Sequence, residues 1–196
     1  MLTLKRGNFH FMFISDKYQY VYIHVPKTAG MAITSTLLKI DLNDHQKIFK
    51  KEANGDRGAL WHGTAEILDD TRRNYFKFCF VRNPWDRMVS FYTYHKKKHS
   101  EKITFNEFCE RVRTSSLDWW RPQVDYTQTV DFIGRYENIQ DDFKILCRKI
   151  NFPYIPVKKQ NVSNNSRSYK EFYSLVTRDV VENIYKEDIK TFEYTF

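Results

Sequence analysis

The chain has 196 residues, of which 41% are hydrophobic and 17% aromatic, and its formal net charge is +8 at neutral pH. This size suits one domain, 1–196, with a buried core, and it is short for two. No apolar run reaches the roughly 18 residues that cross a bilayer, and polar residues interrupt the N-terminal segment where an export signal needs an unbroken apolar run. We therefore expect a globular, cytoplasmic protein without a membrane span, and the positive charge favours anionic partners.

The three cysteines, Cys79, Cys109 and Cys147, are widely spaced, and each lies within an apolar pattern. An odd number of cysteines in such positions is typical of reduced core thiols rather than of a disulfide framework. The chain contains no CxxC or HExxH motif. The sequence therefore predicts no metal site.

The first strand–loop–helix unit lies near the N-terminus. Residues 20–25, YVYIHV, form a β-branched and aromatic run that Pro26 ends. KTAG then leads into a helical pattern of apolar residues at Ile33, Leu37 and Leu38. The sequence therefore predicts a strand, a tight turn and an amphipathic helix.

Two further units repeat this order. FKFCFV at 76–81 is followed by Pro84, at a favoured first helical position, and by an apolar helical pattern. A third strand is predicted over 130–136, and the helix after it has one apolar face that ends at Ile150. Strands that alternate with helices predict an α/β domain in which helices flank a mainly parallel central sheet.

The segments between these units give weaker signals. Residues 41–58 are polar and lack periodicity, which predicts a surface loop. Two capping-box spacings, at 104–107 and 168–171, predict helices that begin immediately after their first residues. The tail up to residue 192 is therefore predicted to be mostly helical.

The first candidate site is the turn HVPKTAG, between the first strand and its helix. Such a turn offers free backbone N–H groups and the positive end of a helix dipole to an anion. Lys27 adds a full charge, Thr28 adds a hydroxyl donor, and Gly30 permits close approach of the backbone. The alternative is an ordinary loop with a solvated lysine.

This turn differs from the nucleotide triphosphate loop, which reads GxxxxGK followed by Ser or Thr. Here Lys27 precedes Gly30, and no earlier glycine is present in the turn. The strand at 76–81 is also followed by Arg82 rather than by the Asp that would hold magnesium. The sequence predicts an anion bound without an obvious metal, and a P-loop-type kinase is the first rival.

The second candidate site is FVRNPWDRMVSFYTY. Arg82 follows the carboxyl end of a strand, where open α/β sheets place their ligands, and a guanidinium there can bind a phosphate bidentately. Ser90 lies about two helical turns further on and can face the same side. Arg87 is predicted either to bind an anion or to pair with Asp86 or another helix.

Together these stretches resemble the sulfotransferases that use 3′-phosphoadenosine 5′-phosphosulfate (PAPS), in particular the branch with many carbohydrate sulfotransferases. HVPKTAG looks like the family's 5′-phosphosulfate loop, and FVRNPWDRMVSFY looks like its 3′-phosphate segment. LWHG, RPQVDY and FIGRYENIQDDF follow the family's order. The resemblance implies a P-loop-like fold, PAPS as the cofactor and an acceptor hydroxyl, with a carbohydrate as the expected acceptor.

The resemblance also implies roles for individual residues. Lys27 would stabilise the charge that develops on the bridging oxygen, and His62, in LWHG, would be the general base that takes the acceptor's proton. Arg82 and Ser90 would contact the 3′-phosphate, with Arg167 as a second basic contact. The cofactor-binding residues implied are Lys27, Thr28, Ala29, Gly30, Met31, Ala32, Arg82, Ser90 and Arg167.

One departure concerns the phosphosulfate loop. Family loops commonly continue with Thr-Ser after the glycine, whereas this chain has Met31 and Ala32. Two hydroxyls that could hold the 5′-phosphate are therefore replaced. Thr34 or Ser35 could compensate, or binding could depend on Lys27 and backbone N–H groups.

Alternatives remain open for the base and for the function. Glu66 is the next candidate for the acid or base, and His24 is interpreted as a packed or hydrogen-bonded strand residue. The basic run HKKKH at 95–99 is a solvated helix end or a secondary anion site. A non-catalytic nucleic-acid-binding protein is the second rival, although no specific nucleic-acid binding is predicted. The oligomeric state does not follow from the sequence.

Overall fold

The computed structural model describes residues 12–40, 45–48, 70–115, 120–158 and 168–196. The strands are β1 (Met12–Ser15), β2 (Tyr20–Ile23), β3 (His45–Ile48), β4 (Phe76–Val81) and β5 (Phe132–Arg135). The α-helices are α1 (Gly30–Ile40), α2 (Pro84–His99), α3 (Phe105–Thr114), α4 (Ile139–Lys149), α5 (Leu175–Ile184) and α6 (Lys186–Thr191). The strands form one sheet with the order β3-β1-β2-β4-β5.

The sheet combines a parallel part with an antiparallel edge. β2 pairs with β4 and β4 pairs with β5 in parallel, whereas β1 is antiparallel to both β2 and β3. Parallel neighbours need a crossover connection, and β2 leads into α1 while β4 leads into α2. The predicted α/β class is confirmed. The carboxyl ends of the inner strands β2 and β4 lie side by side, and the two candidate segments begin there.

Alternating side chains of β2 contribute to two buried layers. Tyr20 and Tyr22 face α1 and α4, whereas Val21 and Ile23 point to the other side, where Tyr126 packs against them. A third buried cluster joins the end of β4 to α2, α3 and α5. Burial of each large apolar side chain contributes about 1.5 to 3 kcal/mol, so these layers hold the strand ends firmly in place.

One segment predicted as a loop contains a strand. Within residues 41–58, His45–Ile48 pairs with β1 in antiparallel register. Its sequence, HQKI, lacks the apolar alternation that marks a strand. The loop prediction was wrong there because β-structure at a sheet edge depends on the neighbouring strand more than on local propensity.

The two capping boxes are present, with different consequences. The box formed by Thr104 and Glu107 caps α3, as predicted. The box at 168–171 caps only a 3-10 turn, Tyr169–Phe172. The α-helix of the tail begins at Leu175, after a separate capping box that starts at Ser174.

The described helices do not include one that is both long enough and apolar enough to cross a membrane. Cys79, Cys109 and Cys147 are free and buried, which agrees with the prediction of core thiols.

Candidate functional site

The turn between β2 and α1 has an unusual backbone. Lys27 and Ala29 have φ angles of 68° and 69°, in the left-handed region that non-glycine residues rarely adopt. The carbonyl of Ala29 accepts hydrogen bonds from the N–H groups of Ala32 and Ile33, so helical bonding begins at this residue. Two strained residues in one turn cost about 1 to 3 kcal/mol each, which is typical of functional sites.

Gly30 has a structural reason in addition to the one predicted. It is the first residue of α1, and a Cβ atom at this position would lie 1.7 Å from Nε2 of His24. The close approach at Gly30 is therefore made by the imidazole ring of His24. The prediction that His24 is a packed residue at the strand end agrees with this contact.

Burial and the nearby Lys27 charge, in that order, lower the pKa of His24 to about 4. The ring is therefore neutral near pH 7. A base with so low a pKa accepts protons weakly at neutral pH, so His24 is poorly suited to general-base catalysis.

The hydroxyl groups near the turn are mostly engaged locally. Thr28 is buried, and its Oγ1 donates to the carbonyl of Val25 at 2.9 Å. Ser35 Oγ donates to the carbonyl of Ala32 at 3.1 Å, and Thr34 is buried. Oγ1 of Thr34 has no hydrogen-bond partner among the described residues, and the replacement of the missing hydroxyls by Thr34 or Ser35 stays a prediction.

The Met31 side chain is 49% exposed, whereas Ala32 is buried. The first turn of α1 therefore presents an apolar side chain to solvent at the position where the family commonly has a hydroxyl. Backbone N–H groups and Lys27 are left as the donors that this turn offers to an anion.

Lys27 lies against an aromatic ring of α2. Its Nζ is 4.3 Å from the ring centroid of Tyr94, a cation–π geometry. Burial first, and then the charge of Arg82, lower the pKa of Lys27 to about 8. The ammonium is thus held close to a second positive charge, and an anion at this position would relieve the repulsion between them.

Arg82 immediately follows β4 and connects the two candidate segments. Its Nη1 donates to the carbonyl of Lys27 at 3.2 Å, and its Nε donates to Oδ2 of Asp86 at 2.8 Å. The guanidinium also stacks on Tyr136, with Cζ 4.0 Å from the ring centroid. The structure therefore brings Lys27 and Arg82 together, although they are distant in the sequence.

Ser90 lies on the face of α2 that borders this site. Asp86 is one turn before it and pairs with Arg82, and Tyr94 is one turn after it and contacts Lys27. Residues four apart share a helix face, so the half-buried Ser90 lies between these two contacts.

Comparisons with known proteins identify the family. A model described as the sulfotransferase family matches residues 10–195. The chain belongs to the sulfotransferase family. It is similar to carbohydrate sulfotransferase 14 of Danio rerio (23% identical over 181 residues, covering 71% of this chain) and of Mus musculus (26% over 164 residues, covering 66%). The matches span 48% and 43% of those two relatives, about half their length.

A solved structure also matches this sulfotransferase-family chain. It is a sulfotransferase from Alicyclobacillus acidocaldarius, with a TM-score of 0.44 and 17% sequence identity, and the match covers 67% of this chain and 58% of the other.

Several predicted residues lie outside the described part of this sulfotransferase-family chain. They are His62, Glu66 and Arg167. The general base and the second basic contact to the 3′-phosphate therefore stay predictions. Lys27, Thr28, Ala29, Gly30, Met31, Ala32, Arg82 and Ser90 are all described.

Three buried polar side chains, those of Arg87, Gln123 and Asp188, support the segments that carry Lys27 and Arg82. Arg87 approaches Asp188 of α6 at 3.9 Å, so of the two pairings predicted for it the structure has the one with another helix. Gln123 hydrogen bonds to the backbone of Arg82. Sequence patterns gave Gln123 only as part of RPQVDY and did not indicate Asp188, which lies in a polar segment far along the chain.

Proposed function

We propose that this chain transfers a sulfuryl group from PAPS to an acceptor hydroxyl, with a carbohydrate as the acceptor. The observation that carries the proposal is the hydrogen bond from Nη1 of Arg82 to the backbone carbonyl of Lys27, at 3.2 Å, beside the ends of two parallel strands. Lys27 and Arg82 each place one cation near the carboxyl ends of these strands, which suits a ligand with two separate anionic groups. Membership of the sulfotransferase family supports this choice of chemistry.

The residues fit a PAPS-like ligand in part. Lys27 and the backbone N–H groups at the start of α1 would hold its 5′ end, and Arg82 would hold the 3′-phosphate. Arg82 already pairs with Asp86 through Nε, so a phosphate would have to bind the remaining side of the guanidinium. Thr28 could add a side-chain hydrogen bond only if its hydroxyl released the carbonyl of Val25.

When bound, PAPS supplies the sulfuryl group and leaves as adenosine 3′,5′-bisphosphate. In the proposed reaction the sulfuryl group would pass to the acceptor oxygen, and the bridging oxygen would leave with the bisphosphate. Lys27 would stabilise the negative charge on that oxygen, and a ring nitrogen of His62 would take the acceptor's proton. This chemistry needs no change in oxidation state.

The carbohydrate acceptor and the cellular setting are parts of the same proposal. Two similar relatives are named carbohydrate sulfotransferases, which supports a sugar hydroxyl. Three free, buried thiols support a reducing, cytoplasmic environment.

A transfer assay tests the proposal. The protein is incubated with PAPS labelled in its sulfate group and with panels of glycans, lipids and small alcohols. We expect label on glycans, formation of adenosine 3′,5′-bisphosphate in equal amount, and loss of both in Lys27→Ala. Magnesium-dependent turnover of ATP, without transfer from PAPS, would favour the kinase alternative instead.

A further inference from the structure

A buried polar network lies directly behind the two cationic residues. Its centre is the side chain of Asp188, on α6, which is 0% exposed. One carboxylate oxygen accepts a hydrogen bond from the N–H of Val124 at 2.9 Å, and the other accepts from Nε2 of Gln123 at 3.2 Å. The same oxygen lies 3.9 Å from Nη1 of Arg87.

The first arm of the network holds the backbone of Arg82. Oε1 of Gln123 accepts from the Arg82 N–H at 2.9 Å, and Nε2 of Gln123 donates to the Arg82 carbonyl at 2.8 Å. Gln123 is completely buried, so water does not compete for these bonds. The position from which the Arg82 side chain projects is therefore fixed by a side chain that Asp188 orients.

The second arm holds the turn that carries Lys27. Nε of Arg87 donates to the carbonyl of Pro26 at 3.0 Å, and Nη1 donates to the carbonyl of Arg121 at 3.0 Å. The Arg87 guanidinium also lies near the rings of Phe91 and Tyr185, at 5.0 and 5.5 Å from their centroids. Arg87 thus fixes the peptide immediately before Lys27.

Stability alone is a weak reason for such a network. Desolvation of two buried charges commonly offsets their attraction, and apolar side chains of similar volume often give an equally stable core. Two of the backbone groups that these hydrogen bonds reach, at positions 26 and 82, lie on both sides of the site, and the other two, at 121 and 124, lie in the segment that carries Gln123. A role in orientation accounts for that placement.

We propose that Asp188 is a positioning residue for the anion site, acting on Arg82 through Gln123 and on the Lys27 turn through Arg87. The inference rests on the proposed function, because it assigns the 3′-phosphate to Arg82. In this proposal α6 supports a site that is built from the ends of β2 and β4.

The test compares the affinities of adenosine 3′,5′-bisphosphate and AMP, measured by calorimetry on folded protein. Gln123→Met keeps the side-chain length and removes the bonds to Arg82. Asp188→Asn keeps the shape and removes the charge opposite Arg87. The control is Asp16→Asn, which breaks a bidentate ion pair with Arg72 before β2 begins, at the opposite end of that strand.

We expect Gln123→Met to lower the affinity for the bisphosphate by about threefold to tenfold, the usual effect of lost hydrogen bonds, and to change AMP binding by less than about twofold. Asp188→Asn should weaken both ligands, because both arms lose their anchor. Asp16→Asn should change neither, even if it destabilises the fold equally.

Unchanged affinities in folded Asp188→Asn would overturn the inference, and so would unchanged affinities in folded Gln123→Met, even if Asp188→Asn fails to fold. Equal weakening of both ligands by Gln123→Met would also overturn it, since the Arg82 arm would then not be specific. If wild-type protein binds the two ligands equally, the proposed function fails and the inference fails with it.

Discussion

Lys27 combines three structural features at the turn between β2 and α1. Its backbone is left-handed, its ammonium lies on the face of Tyr94, and Arg82 contacts its carbonyl. These features keep a partly buried cation next to a second one. Burial first, and then the charge of Arg82, lower the pKa of Lys27 to about 8, so the residue changes charge close to physiological pH.

The first prediction is that anion binding weakens as the pH rises through this pKa. Below pH 8 Lys27 is charged and binds the anion fully. Above pH 8 Lys27 must take up a proton when the anion binds, so affinity falls by up to about tenfold per pH unit. The decline ends at the pKa that Lys27 has in the complex. The measurement is calorimetry with adenosine 3′,5′-bisphosphate between pH 7 and 9.5, where the phosphate charge stays constant because its second pKa is about 6.

Lys27→Arg is the matched control, because arginine stays charged throughout this range. We expect the decline in affinity to disappear in that variant. A decline of the same size in both proteins would show that another group is responsible.

The second prediction separates chemistry from binding. If His62 takes the acceptor's proton, His62→Ala should leave binding of the bisphosphate nearly intact and lower the transfer rate by about 10² to 10⁴. The wild-type rate should rise with pH through a group near 6.5, and that limb should vanish in the variant. A limb near the pKa of His24, about 4, or full activity of His62→Ala, would contradict the assignment.

At the scale of elements, the site depends on how α1 starts against the end of β2. The first residue of the helix is glycine, and the ring of His24 occupies the space that a Cβ atom would need there. α2 starts beside it, with Asn83 as its N-cap: Oδ1 of Asn83 accepts from the N–H groups of Trp85 and Asp86, at 3.0 and 3.4 Å. Both helices therefore begin after the carboxyl ends of neighbouring parallel strands.

The third prediction concerns the contact between Gly30 and His24. Gly30→Ala should lower the free energy of unfolding by about 1 to 3 kcal/mol, the usual cost of overpacking. Most of that cost should disappear when the same change is made in a His24→Ala background. Urea unfolding of the four proteins in this cycle gives the coupling, and an equal cost in both backgrounds would show that the ring is not the obstacle.

Across the whole molecule, local patterns predicted the elements that carry the site. The strand ends before Lys27 and Arg82, and Pro84 at the start of α2, could be read directly from residue order. β3 was missed because its polar HQKI sequence becomes a strand only by pairing with β1. The 3-10 turn at Tyr169–Phe172 has the same capping spacing as an α-helix, so spacing alone could not distinguish them.

The buried residues that support the site could not be predicted either, because their contacts are distant in the sequence. Gln123 meets Arg82, and Asp188 meets Arg87, across long stretches of chain, and these contacts exist only after the sheet and helices have packed. The lack of space for a Cβ atom at Gly30 could not be predicted either, because His24 and Gly30 become neighbours only through the left-handed turn between them.

The fourth prediction tests the central claim that this protein binds a ligand with a 3′-phosphate, and it requires no knowledge of the acceptor. Affinities for adenosine 3′,5′-bisphosphate and AMP are measured without magnesium on wild type, Arg82→Ala and the control Arg72→Ala. We predict that wild type prefers the bisphosphate and that Arg82→Ala loses more than about tenfold of that affinity, as expected when a charge-assisted hydrogen bond is removed, with little change for AMP. Arg72→Ala should behave as wild type. Equal binding of the two ligands by wild type, or equal losses for both in Arg82→Ala, would contradict the account.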